Sequence, residues 1–214
     1  MILNFQGSDD DYPSTISSIN NTPLDNVKVF VYLGCNIKYN EATTGSAEIE
    51  FRIDTAQCKF YELGKKLMNL KIKLLTRIKI FNALVRSRLT YSCQTWSLTK
   101  AQSNHINATY MTLIRKMVRG GYRRVPNTYR YELSNKDLLR MCHTEDIHQF
   151  AARQQKKFIA HVIRSENGRS IKRLLFNGNE ARRPGRRTTA YNTVMENEKL
   201  TANQLNRDAM TRKF

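Results

Sequence analysis

Ile49, Ile53, Ala56, Phe60, Leu63 and Leu67 recur at steps of four, three, four, three and four residues. A stripe with that period lies along one face of an α-helix and would scatter over both faces of a strand. The segment from Ser46 onward therefore reads as a long amphipathic helix that must bury one face against another element. A second stripe, Ile78, Phe81, Val85 and Leu89, predicts a helix from about Leu75 to Gln94, joined to the first by the short basic connection MNLKIK. The third helix has the clearest boundaries. Thr99 and Gln102 have capping-box spacing, Ile106, Tyr110, Leu113 and Met117 form the stripe, and Gly120-Gly121 supplies the stop. Three such helices with short links are expected to pack as a bundle.

The flanks read differently. Met1–Phe5 is a short apolar stretch, followed by the turn composition GSDDDYPS. TISSINNTPLDNVKVFVYLGCNI carries two strand signals, with Asn20, Asn21, Thr22 and Pro23 turning between them. In the second, Val27, Val29, Val31 and Leu33 alternate with Lys28, Phe30 and Tyr32, and Gly34 permits a bend at its end. Downstream of the bundle, GYRRVPNTYRYE is a basic, aromatic linker. Ser134 with Asp137 starts the short helix SNKDLLRMC, and Thr144 with Glu145 and Asp146 starts another, in which Ile147, Phe150, Gln154, Phe158 and Val162 are expected to share a face. The tail YNTVMENEKLTANQLNRDAMTRKF reads as helical in part and weakly packed.

Charge narrows the partners. The net charge is +18, but residues 1–64 hold 4 Lys+Arg against 9 Asp+Glu, while residues 65–214 hold 32 against 9. A basic excess of +23 over the later residues attracts a polyanion by counterion release, and nucleic acid is the commonest one. An anionic membrane surface is the rival, but no basic amphipathic helix with a strong aromatic face stands out. No apolar run is long enough to cross a bilayer, and MILNFQGSDDDYPS lacks the features of a signal peptide. The expected location is the nucleus or cytoplasm, without secretion. Cys35, Cys58, Cys93 and Cys142 are widely spaced and form no CxxC, so they read as reduced thiols.

Candidate chemistry is sparse. Asp9, Asp10 and Asp11 have the residue type that holds catalytic metals, but Gly7-Ser8 and Tyr12-Pro13-Ser14 flank them with turn chemistry, which favours a solvated acidic loop. Cys142, His143 and His148 lack a fourth partner and read better as a helix-capping segment than as a zinc site. Arg153, Lys156, Lys157, His161 and Arg164 form a basic cluster that fits either a solvated face or phosphate contact. Arg182, Arg183, Arg186 and Arg187 flank Pro184-Gly185 and can grip phosphate oxygens bidentately; a nuclear-targeting signal is the competing reading. Tyr122, Tyr129 and Tyr131 interleave with Arg123, Arg124 and Arg130, which suits stacking plus phosphate binding on single strands, or simple packing on the bundle. No nucleophile–base or phosphate-loop motif appears.

Several segments in order resemble the reverse transcriptases of non-LTR, LINE-type retrotransposons. FVYLGCNI is similar to the family's F-x-Y-L-G-x-x-I element. RIDTAQCKFYELGKKL and LTRIKIFNALVRSRLTYSCQTWSLTK resemble its next region, with Leu89, Tyr91, Trp96, Leu98, Thr99 and Lys100 matching the ending L-x-Y-x-x-x-x-W-x-L-T-K. YELSNKDLLRMCHTEDIHQFAARQQKKFIAHVIR and ARRPGRRTT resemble the segments that follow, so the likeness covers roughly residues 1–195.

The resemblance implies a mainly α fold: a short β remnant of the palm over 1–44, a helical thumb bundle over 46–120, and a basic helical linker region and tail over 121–214. Tyr32, Leu33 and Gly34 would be primer-grip residues. Lys65, Lys66, Arg123, Arg124, Arg153, Lys156, Lys157 and the arginines of the 182–187 loop would contact an RNA template–DNA primer duplex. The family's catalytic aspartates, in a [FY]-A-D-D hairpin, have no counterpart in this sequence. The expectation is therefore a fragment that binds nucleic acid without polymerising it. It would hold no cofactor, the parent enzyme's Mg²⁺ belonging to the missing fingers and palm. A stand-alone, domesticated nucleic-acid-binding protein and an inert pseudogene product are the alternatives.

Overall fold

A computed structural model describes residues 15–17, 23–25, 27, 29–38, 46–118, 123–128, 131–166, 169–172 and 201–211. The fold is mainly α, with short antiparallel β structure on its N-terminal side. Strands β1 (Thr15–Ser17) and β2 (Pro23–Asp25) pair antiparallel, with Ile16 opposite Leu24. Strands β3 (Val29–Tyr32) and β4 (Cys35–Lys38) form a second hairpin in which Tyr32 faces Cys35.

Helix α1 (Ser46–Glu62) carries the first four positions of the first stripe, but the expected single long helix is broken at Leu63. Ile49, Ile53, Ala56 and Phe60 are buried on it, Leu63 packs against the core, and Leu67 is buried in the short α2 (Gly64–Leu67). The second stripe is also buried throughout, but the helix bearing it is not uniform. Helix α3 (Leu74–Phe81) passes into a π turn at Asn82–Arg86 and a last α turn, α4 (Ser87–Leu89). It ends five residues before the expected Gln94. Thr90 bonds its hydroxyl back to Arg86 O at 2.8 Å, and Ser92 is left-handed with φ 59°. The chain thereby swings Cys93 and Trp96 into the core around a 3₁₀ turn at Cys93–Thr95.

Helix α5 (Lys100–Met117) opens on the expected capping box. Gln102 N donates to Thr99 Oγ1 at 3.2 Å and Thr99 N to Gln102 Oε1 at 2.8 Å. It closes at Met117 with an extended Val118; Gly120 and Gly121 lie outside the described residues. At the bundle centre each long helix supplies one ring. Phe60 meets Phe81 edge-on at 6.3 Å, and Phe81 meets Tyr110 at 5.9 Å. Such pairs contribute about 0.5–1.5 kcal/mol beyond their buried area.

The core continues into Leu138 and Cys142 around α6 (Asn135–Met141) and Ile147 of α7 (Ile147–Arg164). Ser134 caps α6 as expected, its hydroxyl accepting from Asp137 N at 3.2 Å. His143, with φ 47°, closes the helix: its N–H donates to Arg140 O and that of Thr144 to Leu139 O, both at 3.1 Å. That paired pattern is a Schellman cap, and it accounts for the Cys142-His143 pair as helix-end geometry.

Two expectations for α7 are corrected. Its N-cap is Asp146, which accepts from His148 N at 2.8 Å, while Thr144 turns its hydroxyl to Tyr110. Its buried face is Ile147, Gln155, Ile159, Val162 and Ile163, with Phe150, Gln154 and Phe158 only half-buried beside it. The face is rotated because the core accepts a polar residue there: the Gln155 amide donates to Trp96 O at 2.9 Å, which makes its burial tolerable. Helix α8 (Ala202–Met210) has its own Thr201–Gln204 capping box, and Leu205 and Ala209 are fully buried. Arg164 donates to Ala209 O at 2.8 Å, so this part of the tail is docked on α7 rather than weakly packed.

Candidate nucleic-acid interface

Tyr32, Leu33 and Gly34 form the tip of the β3–β4 hairpin. The connection is two residues long, and both have positive φ, 47° at Leu33 and 78° at Gly34. This is a type I′ turn, which matches strand twist and favours Asn-Gly. Gly34 adopts the conformation freely; Leu33 does not. Leu33 is also 75% exposed, with Tyr32 and Val31 exposed beside it.

The turn is fixed from below. Tyr91, where the chain leaves α4, donates its hydroxyl to Leu33 O at 2.9 Å. Arg52 of α1 donates through Nη2 to Gly34 O, and that nitrogen is 3.9 Å from Cys35 Sγ. Arg52 Nε meets Glu48 Oε1 at 2.6 Å, and Asn36 N donates to Glu48 Oε2 at 2.7 Å. The Arg52 guanidinium lies 4.5 Å from the Tyr91 ring centroid. Glu48 and Arg52 are both buried.

A second feature is electrostatic. Residues 63–131 contain no Asp or Glu and 15 Lys+Arg. Among the described residues, Arg77 and Arg115 are turned inward, and Arg86 is paired with Glu145 at 3.8 Å. Arg77 is buried and donates to Ile72 O at 3.1 Å, Leu67 O at 3.0 Å and Met117 O. Arg115 is buried and donates to Leu133 O at 3.1 Å and Asn135 Oδ1 at 2.7 Å. By contrast Lys65, Lys66, Lys71, Lys73 and Lys79 are exposed and join no ion pair among the described residues. Arg77 ties the end of α2, the connection after it and the end of α5 together, so the lysines of 65–73 lie at the end of the bundle where α5 finishes. Lys116, near that end of α5, bonds the Tyr61 hydroxyl, and Tyr61 is exposed.

Arg123 and Arg124 are exposed in the segment after α5. Arg124 pairs with Tyr131 in an isolated antiparallel β-bridge, and the Tyr131 ring is 4.0 Å from the Arg115 guanidinium and 5.4 Å from that of Arg124. The α7 cations are placed elsewhere. Arg153 pairs with Glu145 and lies 5.4 Å from the Phe150 ring, against which Arg86 also packs at 4.4 Å. Lys157 and His161 are exposed and Lys156 is half-buried. The structure thus brings Lys65 and Lys66 to the end of the bundle that Arg115 and Tyr131 border, and keeps Arg153, Lys156 and Lys157 on a separate helix. Asp9–Asp11, Tyr122, Tyr129, Arg130, Arg182, Arg183, Arg186 and Arg187 lie outside the described residues.

Sequence reading missed Lys71, Lys73, Lys79, Glu48, Arg52 and Tyr91. The unbroken absence of carboxylates over 63–131 is the signal that finds the lysines. Burial pushes the Cys93 thiol up to about 12 and the Cys142 thiol up to about 11, so neither is a ready nucleophile. Among the described residues no group of His, Cys, Asp and Glu could hold a metal ion, and no helix is long and apolar enough to cross a membrane.

No family profile and no solved structure matches the chain. Among curated proteins, it is 28% identical over 148 residues to an uncharacterized transposon-derived protein of Caenorhabditis elegans. The match takes in 69% of this chain and spans about half, 51%, of that relative. The similarity supports a transposon-related context for the chain.

Proposed function

We propose that this chain is the nucleic-acid-gripping part of a non-LTR retrotransposon reverse transcriptase, holding an RNA template–DNA primer duplex by its backbone. The carboxylate-free stretch of 63–131 carries the reading, because Lys65, Lys66, Lys71 and Lys73, at the end of the bundle where α5 finishes, are exposed and join no ion pair among the described residues. Such a surface binds phosphates in register without reading sequence. The exposed turn at Tyr32, Leu33 and Gly34 is the second contact, with the family's primer grip as its counterpart. Polymerisation, and the Mg²⁺ it needs, belong to upstream fingers and palm of a parent enzyme. The chain by itself is a binder, acting in nucleus or cytoplasm.

The test is fluorescence anisotropy with a labelled RNA–DNA hybrid across a salt series. Affinity is expected to fall about 10³-fold or more between about 50 and 200 mM salt if six or more phosphates are neutralised. The pair Lys65→Ala and Lys66→Ala should flatten the log–log slope by about 2. Salt-independent binding would sink the proposal, and so would primer extension by this chain alone.

A stand-alone binding protein is the second reading. It is favoured by the core that runs continuously from α1 to the start of α7 among the described residues. Equal affinity for DNA duplex and RNA–DNA hybrid would support it over the first.

A further inference from the structure

Leu33 breaks two local rules at once. It holds a left-handed backbone, which is strained for a non-glycine residue, and it exposes a large apolar side chain to water. Asparagine at this position would remove both penalties. The turn nevertheless has an unusual amount of polar machinery beneath it. Its outward main-chain groups, Leu33 O, Gly34 O and Asn36 N, are each met by a side chain from the helical body, namely Tyr91, Arg52 and Glu48. Arg52 and Glu48 are also paired to one another in a buried site, where desolvation makes such a pair a poor source of net stability. A buried pair that contributes little stability, aimed at a strained and exposed turn, fits a device that fixes geometry.

We infer that Glu48, Arg52 and Tyr91 are positioning residues that lock the Leu33–Gly34 turn to the helical body, so that Leu33 is held out as a fixed apolar contact for a base or sugar of the bound nucleic acid. The contact rests on the function proposed above; the lock stands on the geometry alone. Tyr91 joins the turn to the second helical segment and Arg52 joins it to the first, so the tip follows the bundle as one body.

The full chain carrying Cys58→Ser provides the assay. Cys58 is the exposed thiol and is removed; Cys93 and Cys142 are buried, so Cys35, beside Arg52, is the thiol that alkylating reagents reach. Tyr91→Phe deletes one hydroxyl from a half-exposed side chain and leaves the ring against Arg52. It should raise the Cys35 labelling rate about two- to tenfold, the loss of one hydrogen bond expressed as local opening. Glu48→Gln, which keeps the shape of the side chain, should raise it as well.

The second measurement uses a hybrid with 2-aminopurine near one end. Wild type should change its fluorescence on saturation and Leu33→Ala should lose that change. Tyr91→Phe should reduce it while the salt slope of affinity stays as in wild type, a split that a merely structural role would not produce. Unchanged Cys35 labelling in both clamp variants overturns the lock. Faster labelling with unaltered fluorescence overturns positioning for contact. Failure of wild type to bind the hybrid at low salt overturns the proposed function and with it the contact, while labelling still decides the lock.

Discussion

Replacing Arg77 with methionine should destabilise the fold by about 2–4 kcal/mol, although it removes a buried charge. Arg77 is 4% exposed, and its guanidinium has three carbonyl partners, Leu67 O, Ile72 O and Met117 O. Two of these belong to the last turns of α2 and α5, where carbonyls have no partner within the helix and the helix dipole favours a cation. Methionine fills the volume of the stem and donates nothing. Each orphaned carbonyl then costs about 1–3 kcal/mol. Against this, the variant no longer desolvates a guanidinium, a relief of several kcal/mol. The carbonyl loss wins because Leu67 O and Met117 O remain buried in the same corner and Ile72 O is partly buried beside them. For a chain of this size the net effect lowers Tm by about 5–15 °C. Arg77→Lys should fall between, because one ammonium cannot span three acceptors in the geometry of the planar fork. Urea unfolding with matched m-values is the assay. A methionine variant within about 0.5 kcal/mol of wild type would refute the reasoning, since it would mean that water satisfies the carbonyls or that charge burial cancels the bonds.

Thr99→Ala removes the hydroxyl half of the α5 capping box and should cost about 1 kcal/mol in the same urea titration. Leu33→Asn should stabilise the chain by about 0.5–1 kcal/mol by relieving the left-handed strain, and abolish the fluorescence change with the end-labelled hybrid; a lower Tm would count against the strain argument. Burial holds the Cys93 and Cys142 thiols up at about 12 and about 11, whereas unfolded thiols ionise near 9.0. Above that pH the unfolded state releases protons that the folded state keeps. Stability from these two groups is therefore full below pH 9.0 and declines as pH rises through about 11 to 12. The Cys93→Ala/Cys142→Ala chain should lose less unfolding free energy than wild type between about pH 8 and about pH 10.5, and an equal loss would contradict the assignment.

Much of the helical body was legible because its signals are local. The stripes of α1, α3 and α5 repeat at helical period, and Thr99–Gln102 and Ser134–Asp137 bring donor and acceptor together within one turn. The α7 face was misread for a reason that is not local. Phe150 and Phe158 are the more apolar choice, yet Gln155 is the buried residue because Trp96, far away in sequence, offers it a carbonyl. The early end of α4 is similar: Tyr91 is claimed by the hairpin turn and Cys93 and Trp96 by the core, so helix propensity through Gln94 is overridden.

The candidate site divides in the same way. The basic surplus after residue 64 was visible in composition, and Tyr32, Leu33 and Gly34 stood out as a strand ending in a turn. Sequence could not say which cations face water. Arg77 and Arg115 look like their neighbours Lys73, Lys79 and Lys116, but tertiary packing turns them inward against main-chain carbonyls. Nor could it say that Glu48, Arg52 and Tyr91 belong under the hairpin.

The sequence by itself determined a set of amphipathic helices, their caps and a charge imbalance, because periodicity, capping and net charge depend on neighbours in the chain. The tertiary structure alone decided which charges are free to meet a polyanion and which are spent inside, and how the Leu33–Gly34 turn is held. Those outcomes depend on hydrogen-bond partners from different elements, up to 58 residues apart, brought together only when the stripes bury one another.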